Sequence, residues 1–136
     1  MAKLRARPLE AKFTYVGIRV KNMEESVGFY TKFLGMADKG RSRIEATKGD
    51  VAFLESADGK FGIELNHYDR DSPFNTKYIV GEGLDHLAFG VKDIGAALQE
   101  AKLQGHEVVK EVKTEKSRWA YVEDPNGIWI ELFETS

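Results

Sequence analysis

Two glutamates and one histidine have the side chains and the spacing to build a metal site. Glu64 lies in the stretch 61–66 and Glu131 in the stretch 128–133, and both stretches alternate apolar with other residues. Because alternate residues of a β-strand point to opposite faces, each carboxylate is predicted to face away from the apolar side of its strand. A carboxylate buried there without a partner would be costly, so the repeated pattern indicates a solvated face or a ligand. His86 is the imidazole that such a site could add.

An internal repeat relates these residues to one another. The quartet at 19–22 (RVKN) matches the quartet at 90–93 (GVKD), and subtracting 19 from 90 gives an offset of 71 residues. At this offset Tyr15 falls on His86, and the apolar face of one predicted strand falls on the apolar face of another. The matched apolar residues are Val16, Ile18 and Val20 in the first copy and Leu87, Phe89 and Val91 in the second.

The first copy predicts a strand, a helix and three further strands. Residues 13–21 are predicted as a strand, and Asn22 with Glu25 forms a capping box that starts a helix. This helix is predicted to end at Leu34, before Gly35. The further strands are predicted at 41–47, 50–57 and 60–67, with a hairpin turn at Asp58-Gly59.

The second copy repeats this order of elements after an irregular stretch at 69–83. It restarts at Leu84, and Asp93 is predicted to cap a helix through Gln104 that Gly105 ends. Strands are expected at 106–114, 118–123 and 128–134, with a turn at 124–127.

Together these elements predict an α+β fold. We expect a single domain, 1–136, made of two βαβββ modules, with pseudo-repeats at about 13–68 and 84–134 joined by the loop 69–83. The two modules are expected to pair their sheets into an open, curved mixed sheet. The helices would lie on its convex side, and the glutamate faces would line a concave interior.

Composition restricts the classes of partner. Twenty basic and 22 acidic residues give a net charge of -2, and no long basic stretch occurs, so no nucleic-acid partner is expected. The sequence has no cysteine, which rules out thiolate metal ligands and fits a reducing compartment. It also shows no secretion signal and no apolar run of membrane-spanning length, so we expect a soluble, cytoplasmic protein without a membrane partner.

Several stretches resemble one known family. The two βαβββ units are similar to those of the vicinal oxygen chelate superfamily, which includes glyoxalases, bleomycin resistance proteins and extradiol dioxygenases. Three segments resemble the lactoylglutathione lyases (glyoxalase I) in particular: 26–36 (SVGFYTKFLGM), 83–89 (GLDHLAF) and 121–132 (YVEDPNGIWIEL). The last is the most specific, because a turn signal and the final glutamate occur at the family's spacing. The resemblance implies the vicinal oxygen chelate fold.

The resemblance also implies a ligand set. At the positions that correspond to the family's four metal ligands, this sequence has Tyr15, Glu64, His86 and Glu131. Tyrosine at the first place is a departure, because lactoylglutathione lyases usually have histidine there. A phenol must lose its proton to bind a metal well, whereas a neutral imidazole binds at once. One imidazole and two carboxylates suit zinc, nickel, cobalt or manganese.

The activity that the resemblance implies is a divalent-metal-dependent isomerase or lyase acting on a small oxygenated substrate. The metal would stabilise an enediolate as a Lewis acid while a carboxylate moves the proton, and Glu131 is the implied base. In lactoylglutathione lyases the substrate is the hemithioacetal of glutathione and methylglyoxal. The family arrangement implies a homodimer in which Tyr15 and Glu64 of one subunit meet His86 and Glu131 of the partner subunit.

Two other functions stay open. A metal-free, drug-sequestering binding protein of the same fold would use an aromatic concave face, and loss of the first histidine is expected on that path. An extradiol-type dioxygenase favours two histidines and one carboxylate, and only His86 is placed to serve, although Tyr15 could act as a fourth group. Trp119 and Tyr121 alternate on one face of their strand and could form a pocket wall in any of these functions.

Three further residues are candidates for substrate binding. Arg19 shares the predicted face of Tyr15, so it could bind an anionic substrate group or pair with a glutamate across the sheet. Trp129 and Phe133 flank Glu131 on its own face, which indicates a lined pocket and not free solvation.

The candidate ligands also have ordinary structural interpretations. His86 could be a core histidine bonded to a neighbour, and Glu64 and Glu131 could be outward-facing strand residues of an antiparallel sheet. His67 and His106 are predicted to lie at the surface, because His67 falls on the face opposite Glu64 and His106 follows a helix-ending glycine.

Overall fold

The computed structural model describes residues 14–81 and 84–135. The first module contains β1 (Val16–Arg19), α1 (Met23–Gly28), a π-helical turn (Phe29–Phe33), β2 (Ala37–Ile44), β3 (Gly49–Glu55) and β4 (Gly62–Tyr68). The second contains β5 (His86–Val91), α2 (Ile94–Leu103), β6 (Val108–Lys113), β7 (Arg118–Glu123) and β8 (Trp129–Glu134).

The two modules have the same strand order. The first sheet is ordered β1-β4-β3-β2 and the second β5-β8-β7-β6. In each, the first strand of the module runs parallel to the last, and the other pairs are antiparallel. The predicted α+β fold of two βαβββ modules is therefore confirmed.

Both helical segments begin and end near the predicted positions, although the first, predicted as one regular helix to Leu34, changes from α1 to the π-helical turn after Gly28. Asn22 Oδ1 accepts a hydrogen bond from the Glu25 amide at 2.9 Å, and Asp93 Oδ1 accepts one from the Ala96 amide at 3.0 Å. Gly35 and Gly105, the residues after the helical segments, have φ values of 74° and 80°, which side chains with a Cβ rarely adopt.

The prediction of a strand at 41–47 is wrong in its bounds. β2 begins at Ala37, and 45–47 form a 3₁₀ turn that ends at Lys48, whose φ is 52°. Every residue of β2 is exposed, so this edge strand carries no alternation of buried and exposed side chains that a sequence pattern could register. Pairing with β3, and not burial, holds β2 in place.

A buried polar network joins the two modules. The Tyr30 hydroxyl in the π-helical turn donates to Asp124 Oδ2 at 2.9 Å, and Asn126 Nδ2 donates to Ser26 Oγ at 3.1 Å. Asn126 Oδ1 in turn accepts from the Lys21 amide at 2.7 Å. The predicted turn at 124–127 thus links the second module to the first helical segment. Burial of the Tyr30 hydroxyl in this network raises the pKa of Tyr30 well above its ordinary value.

The prediction that His106 lies at the surface is wrong. Its ring packs 4.7 Å from the ring of Phe29 and 5.0 Å from that of Phe33, measured between centroids. Its Nε2 is buried and has no hydrogen-bond partner among the described residues. The π-helical turn brings both phenylalanines against the His106 ring. The prediction rested on the helix-ending glycine before the histidine, and that glycine carries no information about this contact.

Protonation of His106 should destabilise the fold. Burial lowers the pKa of His106 below its ordinary value of 6.5, so the unfolded chain binds the proton more tightly than the folded chain does. Its stabilising contribution is therefore complete above pH 6.5 and is lost as the pH falls through the lowered pKa. We expect the free energy of unfolding, measured in urea from pH 8 to pH 5, to fall less steeply in His106→Gln than in the wild type. Parallel pH profiles for the two proteins would contradict this assignment.

The helices of the described part of the chain are short. Among residues 14–81 and 84–135, no helix combines the length and the apolar composition needed to cross a membrane.

Candidate metal and substrate site

The second module brings His86 and Glu131 together. Strand β5 runs parallel to β8 with Ala88 opposite Glu131. His86, two residues before Ala88 on β5, therefore lies on the same face of the sheet as Glu131. His86 Nε2 lies 4.0 Å from Glu131 Oε2. The two side chains are partly buried, with 33% and 22% of their surface exposed, so a small ligand can reach them.

Asp85 fixes the orientation of the imidazole. Its Oδ2 lies 2.6 Å from His86 Nδ1, and because a carboxylate can only accept a hydrogen bond, Nδ1 carries the proton. In the neutral ring this leaves Nε2, 4.0 Å from Glu131 Oε2, as the nitrogen that a ligand could engage. A carboxylate that holds the outer nitrogen of a metal-binding histidine is a usual partner in such sites. The same contact also fits the ordinary interpretation of a histidine bonded to a neighbour.

The two donors lie near the outer limit for sharing one metal ion. Metal–nitrogen and metal–oxygen bonds of about 2.1 Å place two ligands of a tetrahedral ion about 3.4 Å apart. His86 Nε2 and Glu131 Oε2, which lie 4.0 Å apart, would have to approach each other by about 0.6 Å to hold one ion. Their donor set, one imidazole nitrogen and one carboxylate oxygen, fits the divalent metals expected from the sequence.

Aromatic side chains surround this pair. Tyr121 lies directly across the sheet from Glu131, and its hydroxyl donates to Glu131 Oε1 at 3.4 Å. The Tyr121 ring meets His86 edge to face at 5.6 Å and lies 5.4 Å from Trp129. The sequence did not assign Tyr121 to a face, but the hairpin register that follows from the turn at 124–127 would have placed it opposite Glu131.

A cleft of about 710 Å³ continues from Glu131 along the sheet. Trp119 and Phe133 face each other across β7 and β8 and form its aromatic wall, and Lys116 and Arg118 lie on the hairpin side. Trp129 and Phe133 remain 40% and 38% exposed. The face that carries Glu131 is therefore an open, aromatic surface.

The first module repeats this geometry with different side chains. Gly17 of β1 lies opposite Glu64, as Ala88 lies opposite Glu131. Tyr15 stands edge to face on Phe53 at 5.6 Å, and Phe53 lies opposite Glu64 on β3. Tyr15 thus has the position relative to its neighbouring glutamate that His86 has in the second module.

The structure does not unite all of these groups within one chain. Among residues 14–81 and 84–135, no three of the His, Asp and Glu side chains lie close enough to hold one ion. The pair His86 and Glu131 is formed, and Glu64 belongs to a separate sheet face.

Arg19 lies against the loop that joins the modules. Its Nη1 donates to the Phe74 carbonyl and to Thr76 Oγ1, both at 3.2 Å, and its guanidinium lies 5.1 Å from the centre of the Tyr78 ring. Within the described part of the chain it forms no ion pair with a glutamate across the sheet, which was the second interpretation of this residue. Lys21 lies at the same distance from the Tyr78 ring.

A polar cleft of about 480 Å³ opens beside these cations. Its lining includes the side chains of Arg19, Lys21 and Arg70, together with that of His67. No acidic residue appears among its lining residues in the described part of the chain, so the cleft is electropositive. His67 is half-buried and not freely exposed as the sequence suggested.

Known proteins resemble this chain in sequence. The family model of the Glyoxalase/Bleomycin resistance protein/Dioxygenase superfamily matches residues 12–132. A probable lactoylglutathione lyase from Synechocystis sp. is 35% identical over 126 residues, which cover 88% of this chain and 92% of the relative. A probable chloroplastic lactoylglutathione lyase from Arabidopsis thaliana is 32% identical over 90% of this chain, but the chain spans only 35% of that longer relative.

Solved structures resemble it in fold. Glyoxalase I of Leishmania major, described as trypanothione-dependent, superposes with a TM-score of 0.74 at 26% identity, over 92% of this chain and 87% of that one. An antibiotic binding protein from Streptomyces sp. superposes with a TM-score of 0.69 at 17% identity, over 96% of this chain and 100% of that one. The second likeness concerns the fold alone.

Proposed function

Because the chain belongs to the Glyoxalase/Bleomycin resistance protein/Dioxygenase superfamily, we propose that it is a divalent-metal-dependent isomerase or lyase of the glyoxalase I type. The observation that carries the proposal is the approach of His86 Nε2 to Glu131 Oε2, with the imidazole oriented by Asp85. We further propose that it works in the cytoplasm, and the absence of cysteine is consistent with a reducing compartment.

The proposed site is shared between two copies of the chain. His86 and Glu131 of one subunit would hold the ion together with Glu64 of the other subunit. Tyr15 of that other subunit would occupy the fourth ligand position. Two observations support sharing: the two half-sites have the same geometry, and one described chain does not bring three donors together. A two-fold axis can place the complementary halves of two identical chains face to face.

The chain's own residues would carry the proton transfer. A bound divalent ion would supply Lewis-acid stabilisation of the negative charge that develops on two neighbouring substrate oxygens. The Glu131 carboxylate would accept the proton from the carbon that bears the sulfur and the hydroxyl group of a hemithioacetal, and would return it to the adjacent carbonyl carbon. The hydroxyl proton would pass to the former carbonyl oxygen, so the hydroxyl carbon becomes the carbonyl of a thioester and the isomerisation consumes no other reactant. The partly buried position of Glu131 keeps its carboxylate within reach of the substrate while limiting contact with water.

The surroundings indicate an anionic substrate with an apolar part. The electropositive cleft at Arg19 would bind a carboxylate or another anionic group, because the guanidinium and ammonium groups there have no acidic neighbour in the cleft lining. Trp129 and Phe133 would cover the apolar part of the substrate beside Glu131. The hemithioacetal formed by methylglyoxal and a thiol peptide such as glutathione has both features.

A metal-free binding protein is the second candidate function. The cleft beside Glu131 has an aromatic wall formed by Trp119 and Phe133, which would also suit a planar small molecule held by stacking. In such a protein Trp119 and Phe133 would contact the ligand directly, and His86 would bind no metal.

Metal binding followed by an activity assay separates the two candidates. We expect nickel, cobalt, zinc or manganese to raise the melting temperature, since a ligand that binds only the native state stabilises it. The same ion should support conversion of a methylglyoxal and glutathione mixture. His86→Ala should lose both effects, whereas His67→Ala should keep the melting-temperature shift. If none of these ions changes the melting temperature of the wild type, the metalloenzyme proposal fails and the binding protein is favoured.

A further inference from the structure

The two glutamates of the proposed site lie opposite different aromatic side chains. Glu131 lies opposite Tyr121 on the adjacent strand, and Glu64 lies opposite Phe53. The ring geometry is the same in both modules, with an edge-to-face contact of 5.6 Å to His86 in one and to Tyr15 in the other. Apart from the candidate ligands His86 and Tyr15 themselves, Tyr121 adds a hydroxyl donor beside Glu131 that Phe53 cannot supply beside Glu64.

This hydroxyl gives the two oxygens of Glu131 different neighbours. The Tyr121 hydroxyl donates to Oε1 at 3.4 Å, while Oε2 lies 4.0 Å from His86 Nε2. The hydroxyl contact is longer than the roughly 2.7 Å of a tight bond between a hydroxyl and an oxygen acceptor. Hydrogen bonds in catalytic sites are commonly long before the ligands are in place and shorten afterward.

We infer that Tyr121 is a positioning residue that makes Glu131 present a single oxygen, Oε2, to a metal ion shared with His86. The inference rests on the proposed function and goes beyond it, because it predicts that the two glutamates are not equivalent. The phenol contact holds Oε1, which leaves Oε2 as the oxygen that approaches His86. Oε1 keeps a second lone pair, which is free to accept the substrate proton. Glu64 has no such restraint, because Phe53 cannot donate a hydrogen bond.

Replacing Tyr121 by phenylalanine tests the inference without removing a ligand. Tyr121→Phe converts this position to the arrangement found at Phe53, so the ring packing against His86 and Trp129 should persist and the melting temperature of the metal-free protein should change little. Loss of the hydroxyl should weaken cobalt binding by about tenfold, the low end of the effect of removing an outer-shell partner. Isothermal titration calorimetry measures that affinity.

The visible spectrum of bound cobalt supplies a second readout. It should not change if Tyr121 only contributes to packing. If Glu131 becomes free to bind through both oxygens, the coordination number rises and the d–d bands of the cobalt protein should weaken and shift. Tyr68→Phe, which removes a phenol from β4 in the other module, is the control and should leave the cobalt affinity and spectrum as in the wild type.

The outcomes separate this inference from the proposed function. A Tyr121→Phe protein with wild-type cobalt affinity and spectrum overturns the inference and leaves the proposed metal site intact. A wild-type protein that binds no cobalt overturns both. Weakened binding with an altered spectrum in Tyr121→Phe alone supports the positioning role.

Discussion

Replacing Glu131 by glutamine should lower the proposed isomerase activity by about 10²- to 10⁴-fold, the range expected when a positioned acid–base group is lost. Glutamine has nearly the shape of glutamate, and the buried neighbours Ile130 and Leu132 are unchanged, so β8 should stay in register. The amide cannot accept a proton from a carbon atom, and this loss accounts for the expected effect. The rate should be measured with metal at saturation, because the amide is also a weaker ligand.

A second glutamine substitution serves as the matched control. Glu115 lies exposed in the turn between β6 and β7 and is not among the residues that line the cleft beside Glu131, so Glu115→Gln should keep wild-type kcat and KM. If Glu131→Gln retained activity within a few-fold of that control, another group would be the one that moves the proton.

The sequence repeat predicted the fold because it relates features that act locally. Asn22 and Asp93 cap helices through their own side chains, and Gly35 and Gly105 end the helical segments through their backbone conformation. These signals depend on residues a few positions apart. They therefore appear in the sequence whether or not the rest of the chain is known.

The errors lie where tertiary contacts decide the outcome. Strand β2 is exposed along its length, so its bounds depend on pairing with β3. His106 is half-buried because a π-helical turn carries Phe29 and Phe33 to it, although these residues are more than seventy positions away in the chain. A helix predicted to run regularly to Leu34 does not contain this turn.

The candidate site divides in the same way. The alternation in the sequence predicted the strands that carry His86 and Glu131. It did not predict that β5 pairs in parallel with the last strand of the module, β8, and not with β6, and this pairing brings the two side chains together. The contact of Asp85 with the imidazole and that of Tyr121 with the carboxylate depend on side-chain rotamers, which no pattern in the sequence reports. Arg19 was expected to face the site. It instead donates a hydrogen bond to the Phe74 carbonyl, and this contact depends on the path of an irregular loop that the sequence does not specify.

Subunit mixing tests most directly whether the site is shared between two copies of the chain. Glu64→Gln and Glu131→Gln should each be nearly inactive as homodimers, because every shared site then contains one altered carboxylate. In a heterodimer of the two variants, one site collects both substitutions and the other contains none. Co-expression with two different affinity tags yields that heterodimer, and a doubly tagged Glu131→Gln homodimer is its control.

The purified heterodimer should recover about half of the wild-type activity per dimer and bind one metal ion at the intact site, as two-fold symmetry requires. The doubly tagged control should stay inactive. A heterodimer as inactive as its parents, or a protein that remains monomeric at assay concentration, would contradict the shared site and with it the proposed metal centre.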